Sequence, residues 1–506
     1  MRMADNTDQS DIIEFLGKPS THDGRPVERI ETHSAVVFLV GDRAYKLKRA
    51  VSFPFLDFST CERRGDFCRR EVEFNQRTAP HIYIEALPIT RDSASGLAIN
   101  GNGEVVDWIV AMKRFEQDDL LDQIAMNGDL PNELLAEIAD KIARFHDACK
   151  MTPEHGGYDA MQWIFDDNIT EMRAYPDILD PVLVTRLAQR SRQVMATVGA
   201  RLDRRRQTGF VRHCHGDLHL QNIFLDDGQP TLFDCIEFND KIACIDVMYD
   251  LAFLLMDLAH RDRPDAANFV LNRYLARTGD FDGAALLPLF LSCRAAISAK
   301  VGAIASKEHP ERIDETARYL SQAVSFLETD PPRFIAVGGT PGTGKSTLAH
   351  TIAPSIGKIF GAVLVRTDVV RKQLLGVEIL DRLPESAYDH QTTQRTYDRV
   401  IKISERLLSD GISVIADATF TNKAFRNALK NCATRRGVPF NGIWLEAPLD
   451  LRAARIADRT NDPSDATVEL IQQFRGAPDA PAAWLRLDAA RDTKDLAQDA
   501  LRKILT

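Results

Sequence analysis

The run Gly339-Thr340-Pro341-Gly342-Thr343-Gly344-Lys345-Ser346-Thr347 constrains this chain more than any other feature. It satisfies G-x-x-x-x-G-K-[ST], a spacing that works only between a strand and a helix. Glycines let backbone N–H groups close around phosphate oxygens, the lysine neutralises the β- and γ-phosphates, and the hydroxyl after it can ligate Mg²⁺. The context agrees. Residues 334–338 read as a short buried strand, and 346–356 as a helix closed by Gly357. Further strand-like runs at 362–365, 412–416 and 442–445 alternate with helix-like segments, the order of a parallel sheet with crossover helices.

Such sheets place chemistry at the C-terminal ends of their strands. Asp417 closes the run Ser-Val-Ile-Ala-Asp and is the candidate for Mg²⁺ coordination, or it is merely a helix N-cap. Asp368 closes Val-Leu-Val-Arg-Thr-Asp, with Arg371 one turn later. It can accept the proton of a substrate hydroxyl, or it is simply a helix N-cap. Arg452, Arg455 and Arg459 recur at helical spacing, so one face carries three guanidinium groups, either a lid over a phosphoryl group or a solvated face.

A second constellation lies upstream. His215-Gly-Asp217-Leu-His-Leu-Gln-Asn222 has the form H-x-D-x-x-x-x-N, and Asp234 follows twelve residues after Asn222. An Asp in a tight loop can orient and deprotonate an acceptor hydroxyl. An Asn five residues on can bind Mg²⁺, and a second Asp returns to the same metal after the turn Asp226-Asp227-Gly228. His215 reads as a brace of this loop. His146 and His219 read as ordinary core or surface histidines, Glu237 as structural, and the arginines at 201 and 204–206 as a solvated helix end.

Around that constellation the pattern is mixed. Residues 35–40 and 43–48 read as a hairpin turned at Gly41-Asp42, 57–77 as a helix started by Ser59/Thr60, and 105–112 as a strand. Helical spacing dominates from Pro131 to about Phe326, apart from a β-rich stretch at 213–238. The Pro331-Pro332 pair marks a linker. The expected organisation is an N-terminal extension (1–24), a first domain over 25–328 with its halves meeting near 115/116, and a second over 333–506.

The upstream motifs resemble the aminoglycoside-phosphotransferase branch of the protein-kinase-like superfamily, through HGDLHLQN, DCIEFN and YDLA. The region 333–506 is similar to small P-loop kinases of the polynucleotide-kinase, zeta-toxin and gluconate-kinase type, an AAA-type ATP-binding arrangement, through the phosphate loop, TDVVR, VIADATF and LRAARIADR. The first resemblance implies a two-lobed α+β kinase-like domain, and the second an α/β P-loop domain with a parallel sheet. The first also implies that Arg43-Ala44-Tyr45-Lys46 stands for V-A-I-K, with Lys46 or Lys48 on phosphate and Glu71 (or Glu73) bracing it. Residues 112–115 would form the hinge. Asp217 would be the base, with Asn222 and Asp234 on the metal. In the second domain Asp368 would activate the acceptor, and Arg455 and Arg459 would sit in the lid. No G-x-G-x-x-G loop precedes Lys46; residues 32–40 take its place.

The expected activity is therefore transfer of the γ-phosphate of ATP, with Mg²⁺, to a small-molecule hydroxyl at each of two sites. The alternatives for the second domain are a nucleotide or polynucleotide 5′-hydroxyl kinase, or a nucleotide-sensing regulator of the first. A formal net charge of −10 disfavours bulk coating of nucleic acid. The eight cysteines form no CxxC pair, and no apolar run approaches 18 residues, with 248–259 the greasiest stretch. A cytoplasmic protein without membrane anchorage is the expectation.

Overall fold

A computed structural model describes residues 8–505, apart from 54–55, 94–95, 129, 329, 359–360, 459–461 and 468–479. The candidate Arg459 lies outside the described residues. After α1 (Ser10–Leu16) come β1 (Glu28–Glu31), the continuously apolar β2 (Ala35–Val40) and β3 (Arg43–Lys48), the last two joined at Gly41-Asp42. The short ribbon β4 (Ser52–Phe53) and β5 (Leu56–Asp57) precedes α2 (Cys61–Asn75). The Thr60 hydroxyl caps α2 by accepting from Arg63 N. Then β6 (Tyr83–Asp92), β7 (Gly96–Ile99) and β8 (Glu104–Lys113) complete a six-stranded antiparallel sheet in the order β1-β2-β3-β8-β6-β7.

Helices follow: α3 (Leu121–Asn127), α4 (Asn132–Ala148), α5 (Gly157–Met172) and α6 (Pro181–Gln207). The β-rich stretch resolves into β9 (Val211–His213), the hairpin β10 (Ile223–Asp226) and β11 (Gln229–Leu232), α7 (Asp240–Ala243) and β12 (Cys244–Asp246), which pairs with β9. Next come α8 (Val247–His260), α9 (Pro264–Thr278), α10 (Leu287–Ala305) and α11 (Ile313–Phe326).

Beyond the prolines, β13 (Phe334–Gly339), α12 (Lys345–Ile352), β14 (Val363–Arg366), α13 (Thr367–Leu375), α14 (His390–Ser409), β15 (Val414–Asp417), α15 (Lys423–Arg436), β16 (Phe440–Glu446), α16 (Leu449–Ala457), β17 (Leu485–Asp488) and α17 (Thr493–Leu505) form an α/β layer. Its sheet is wholly parallel, in the order β14-β15-β13-β16-β17. The strand before the phosphate loop is thus central, with a topological switch point at its C-terminal end. Its core includes Ile335, Val337, Ile415 and Ile443, all 0% exposed.

Packing sorts the chain into two compact units. Met1–Glu137, Arg144–Trp163 and Gly199–Leu254 form one; Ile138–Ala143, Ile164–Val198 and Leu255–Thr506 form the other.

Four expectations need correction. The helix after the phosphate loop stops at Ile352 and tightens into a 3₁₀ turn over Ala353–Ser355, because Pro354 has no N–H to continue the α-ladder. A fifth strand, β17, joins the sheet from the short run Leu-Arg-Leu-Asp. Arg205 is not a solvated helix end. It is 0% exposed, with Nε and Nη2 donating to the Asp246 carboxylate at 2.7 and 2.9 Å. Among the described residues one helical stretch, Gly283–Ala305, is long and apolar enough to cross a membrane; 67% of its most apolar window is buried inside the protein, as in a core helix.

Candidate active sites

Side chains alternate along a strand, so Lys46 and Lys48 point to one face of β3. Above that face α2 presents Glu71, 0% exposed, whereas Glu73 faces solvent. Lys46 Nζ donates to Glu71 Oε1 (2.8 Å) and to Asp234 Oδ1 (2.6 Å). Lys48 Nζ donates to Glu71 Oε2 and to Glu237 Oε1, and lies 4.8 Å from the centre of the Phe58 ring. Each Glu71 oxygen therefore holds one ammonium. The structure brings Lys46, Glu71 and Asp234 together, and gives Lys48, 2% exposed, a different partner in Glu237.

The electrostatics follow. Burial would lower the affinity of Lys46 for its proton, but the Asp234 and Glu71 carboxylates more than reverse this and raise it well above the ordinary value. Lys48 is raised in the same way by Glu237 and Glu71 against its burial. Burial pushes Glu71 up, yet Lys46 and Lys48 outweigh it and bring the carboxyl down to about 2. Glu237 is raised, because its burial dominates over Lys48.

The second half of this site rests on Asp250, whose carboxylate accepts the backbone N–H groups of His215 (3.0 Å) and Gly216 (2.9 Å). It also bonds His146 Nε2 at 3.1 Å, which makes that histidine a core brace. His215 Nε2 donates to Phe233 O (2.8 Å), while its Nδ1 accepts from Asp217 N (3.3 Å), the pattern of a neutral ring; burial lowers its pKa. Asn222 Nδ2 donates to the Asp217 carboxylate (2.9 Å) and carbonyl (2.8 Å), and His219 Nε2 stands 3.3 Å from the same carboxylate. Phe233 N donates to Asn222 O (3.0 Å), so the two halves of the motif are stitched directly. Asp234 then takes φ +60°, a strained value for a non-glycine residue and one that clusters at functional sites. Its N–H donates to the Tyr83 hydroxyl at 3.1 Å. Phe115, in the expected hinge, stacks on Phe224 at 4.3 Å.

The other site is built largely from backbone. Gly342 has φ +83°, and a Cβ there would meet the Arg452 carbonyl at 2.7 Å, so only glycine lets the loop close. Lys345 Nζ donates to Thr340 O (3.1 Å), and Thr343 Oγ1 to the same carbonyl (2.9 Å). Ser346 Oγ donates to Asp417 Oδ2 (2.6 Å). The Arg366 guanidinium spans this pair, with Nη2 3.0 Å from Ser346 Oγ and Nε 3.3 Å from Asp417 Oδ2, and reaches Asp462 at 3.1 Å. Asp368, half-buried in the first turn of α13, has its carboxyl raised by burial, against Arg366 and with the Asp417 charge.

Gly342, Thr343, Lys345, Ser346, Asp368 and Asp417 line a cleft of about 950 Å³ that also takes in Arg371, Tyr388 and Tyr397. Arg371 lies 4.6 Å over the Tyr388 ring and donates to Ala387 O (2.8 Å), while its buried Nε has no hydrogen-bond partner among the described residues. One of the three spaced arginines departs from the lid expectation. Arg452 is buried and its Nε donates to Pro341 O (2.8 Å), bracing the loop from behind. Arg455 Nη2 donates to Ala489 O (2.8 Å), with Nη1 3.5 Å from Thr343 O, so it lies against the phosphate loop itself.

Pattern reading missed several participants. Lys48–Glu237 pairs residues 189 apart, and no local spacing reveals it. Arg366 adjoined the Asp368 motif and was readable as a third charge at that strand end. Asp465, which accepts from Lys372 Nζ (3.2 Å) and the Tyr388 hydroxyl (2.7 Å), carried no signal. The donor sets fit a hard divalent cation, with Ser346 and Asp417 oxygens in one site and Asn222 and Asp234 oxygens in the other. The glycine-lined loop fits a phosphate chain.

Comparison with known proteins matches residues 41–288 to the phosphotransferase enzyme family and 334–481 to an AAA domain. A Mycobacterium tuberculosis (strain H37Rv) protein, "Uncharacterized protein Rv2004c", is 33% identical over 452 residues, 87% of this chain and 88% of its own. The adenylyl-sulfate kinase of Myxococcus xanthus is 28% identical over 159 residues, 30% of this chain and 79% of its own. Among solved structures, a choline/ethanolamine kinase family protein from Mesorhizobium loti covers 64% of this chain and 99% of its own, at 12% identity and a TM-score of 0.38.

Proposed function

We propose that this chain, which belongs to the family of the M. tuberculosis protein Rv2004c and joins a phosphotransferase-family domain to an AAA-type P-loop domain, transfers the γ-phosphoryl group of ATP to small-molecule hydroxyls at two separate sites. The observation that carries this reading is the Lys46 ammonium held between Glu71 and Asp234, a phosphate-gripping cation already aimed by two carboxylates. In the first site Asp217 takes the acceptor proton as the hydroxyl oxygen attacks the γ-phosphorus. The bond to the β,γ-bridging oxygen breaks, and ADP leaves with that electron pair. In the second site Asp368 takes the proton, while Gly342, Gly344 and Lys345 hold the phosphates. Bound Mg²⁺ supplies charge neutralisation along the phosphates; Asn222 and Asp234, or Ser346 and Asp417, are the residues that would hold it. Arg455 adds positive charge beside the phosphate loop. Eight cysteines, none of them in a disulfide, support a reducing, cytoplasmic setting.

The test is ADP release by wild type, Asp217→Ala and Lys345→Ala across hydroxylated metabolites, sugars, aminoglycosides and a 5′-hydroxyl oligonucleotide. Each substitution is expected to remove a separate acceptor-dependent activity by about 10²–10⁴-fold. Stimulation by the oligonucleotide alone would assign the P-loop site to polynucleotide ends. ATP binding without turnover there would assign it to sensing. Loss of every activity in Lys345→Ala would overturn the two-site reading.

A further inference from the structure

β14 is an edge strand, with β15 as its one strand partner among the described residues. An edge leaves backbone N–H and C=O groups that must be satisfied or exposed to water. Here side chains of α9 satisfy two of them. Asn272 Oδ1 accepts from Leu364 N (2.7 Å), and Asn272 Nδ2 donates to Ala362 O (3.2 Å), the pair of bonds a neighbouring strand would make. Asn268 Nδ2 adds a second donor to Ala362 O at 3.1 Å. Both asparagines are essentially buried, at 1% and 5% exposure. The chain bends into the strand through Gly361, φ +64°, where a Cβ would stand 2.8 Å from Asn268 Nδ2. From the far end, Gln373 on α13 donates Nε2 to Leu275 O (3.2 Å) and Ala276 O (2.7 Å), closing the last turn of α9.

The position of these bonds gives them consequence. β14 ends at Arg366, which spans Ser346 and Asp417, and runs straight into Asp368. Leu364 N is thus pinned two residues before one of these groups and four before the other. α9 itself lies within the segment that matches the phosphotransferase family, ahead of the linker prolines, yet packs in the same compact unit as the P-loop sheet.

We infer that Asn272 is a positioning residue of the P-loop site: it replaces a missing edge strand and holds β14 so that Arg366 and Asp368 keep their register in the cleft. The catalytic part of this inference rests on Asp368 being the acceptor base; the structural part does not. The experiment compares Asn272→Ala, Asn272→Asp and Gln373→Ala with wild type in the full chain, by amide hydrogen exchange and by Lys345-dependent ATP turnover. In Asn272→Ala, exchange at Leu364 and from Arg366 to Asp368 rises by about tenfold, the value of one lost buried hydrogen bond. The kcat falls by a similar factor, with KM for ATP within about twofold of wild type. Asn272→Asp keeps the acceptor for Leu364 N–H and falls between the two. Gln373→Ala, which leaves the strand bonds intact, gives the same direction of change at smaller size should Asn272→Ala fail to fold. Unchanged exchange at Leu364, or raised exchange with unchanged kcat, overturns the inference. If wild type shows no Lys345-dependent turnover, the kinase reading of that site fails on its own. Exchange then decides: a rise reaching Asp368 supports the positioning role, and a rise confined to Leu364 overturns it.

Discussion

The two candidate sites solve the same problem with opposite materials. Around β3 and α2, order comes from charge: two ammonium and three carboxylate groups interlock through Lys46, Lys48, Glu71, Asp234 and Glu237. At the P-loop, order comes from backbone: positive-φ glycines, carbonyls held by Arg452 and Lys345, and a cleft whose Arg371 keeps an unused donor. Paired buried charges are expensive to disturb singly, because the partner left behind has no water to turn to. A loop of backbone donors tolerates loss of a side chain but not addition of one. The first site is therefore sensitive to deletion, and the second to insertion.

The contrast is broken most directly at Lys48. Lys48→Met strands Glu71 and Glu237 in a buried environment and should cost about 3–5 kcal/mol of stability, read as a lower urea midpoint. The double variant Lys48→Met/Glu237→Leu removes one stranded carboxylate and should recover part of that loss. Equal destabilisation by single and double variants would mean that Glu237 is held by something other than Lys48. Lys46, more exposed, should cost less stability and more activity.

The converse test is Gly342→Ala. Its methyl would meet the Arg452 carbonyl at 2.7 Å, so nucleotide affinity at the P-loop should fall by about 10²-fold while the N-terminal unit keeps its urea midpoint. Retention of affinity would show that the loop can open at Arg452 without consequence.

Smaller effects come from pH. Glu71 has a folded pKa of about 2 against an ordinary 4.5, so the stability it lends is whole above pH 4.5 and lost as pH falls towards 2. The gap in urea midpoint between wild type and Glu71→Gln should narrow on acidification through that window. Asp368 moves the other way. Its raised carboxyl must be ionised to accept a proton, so the acid limb of Lys345-dependent turnover should lie above the ordinary carboxylate value of 3.8. A limb at or below that value would sever Asp368 from the reaction.

Legibility in the sequence followed distance along the chain. The β2–β3 hairpin, the Thr60 cap and the P-loop strand with the start of its helix are written in a few adjacent residues, and the structure has them where spacing put them. The choice between Lys46 and Lys48 was not readable, because both satisfy the same two-residue period. Only Asp234 and Glu237, nearly 190 residues away, separate them. Arg205 misled for the same reason: four clustered arginines at the end of α6 look solvated until Asp246 arrives from β12. Helical spacing placed Arg452 and Arg455 on one face, but not which carbonyls that face would meet.

One feature of the first site reaches beyond catalysis. Both oxygens of Glu71 are occupied by different lysines, and one of those lysines has a further carboxylate behind it. Swinging α2 outward would expose or orphan Glu71, Lys48 and Glu237 together, a penalty of several kcal/mol for each buried ion left alone. Outward displacement of α2 is thus opposed by the charge network itself, independently of any ligand.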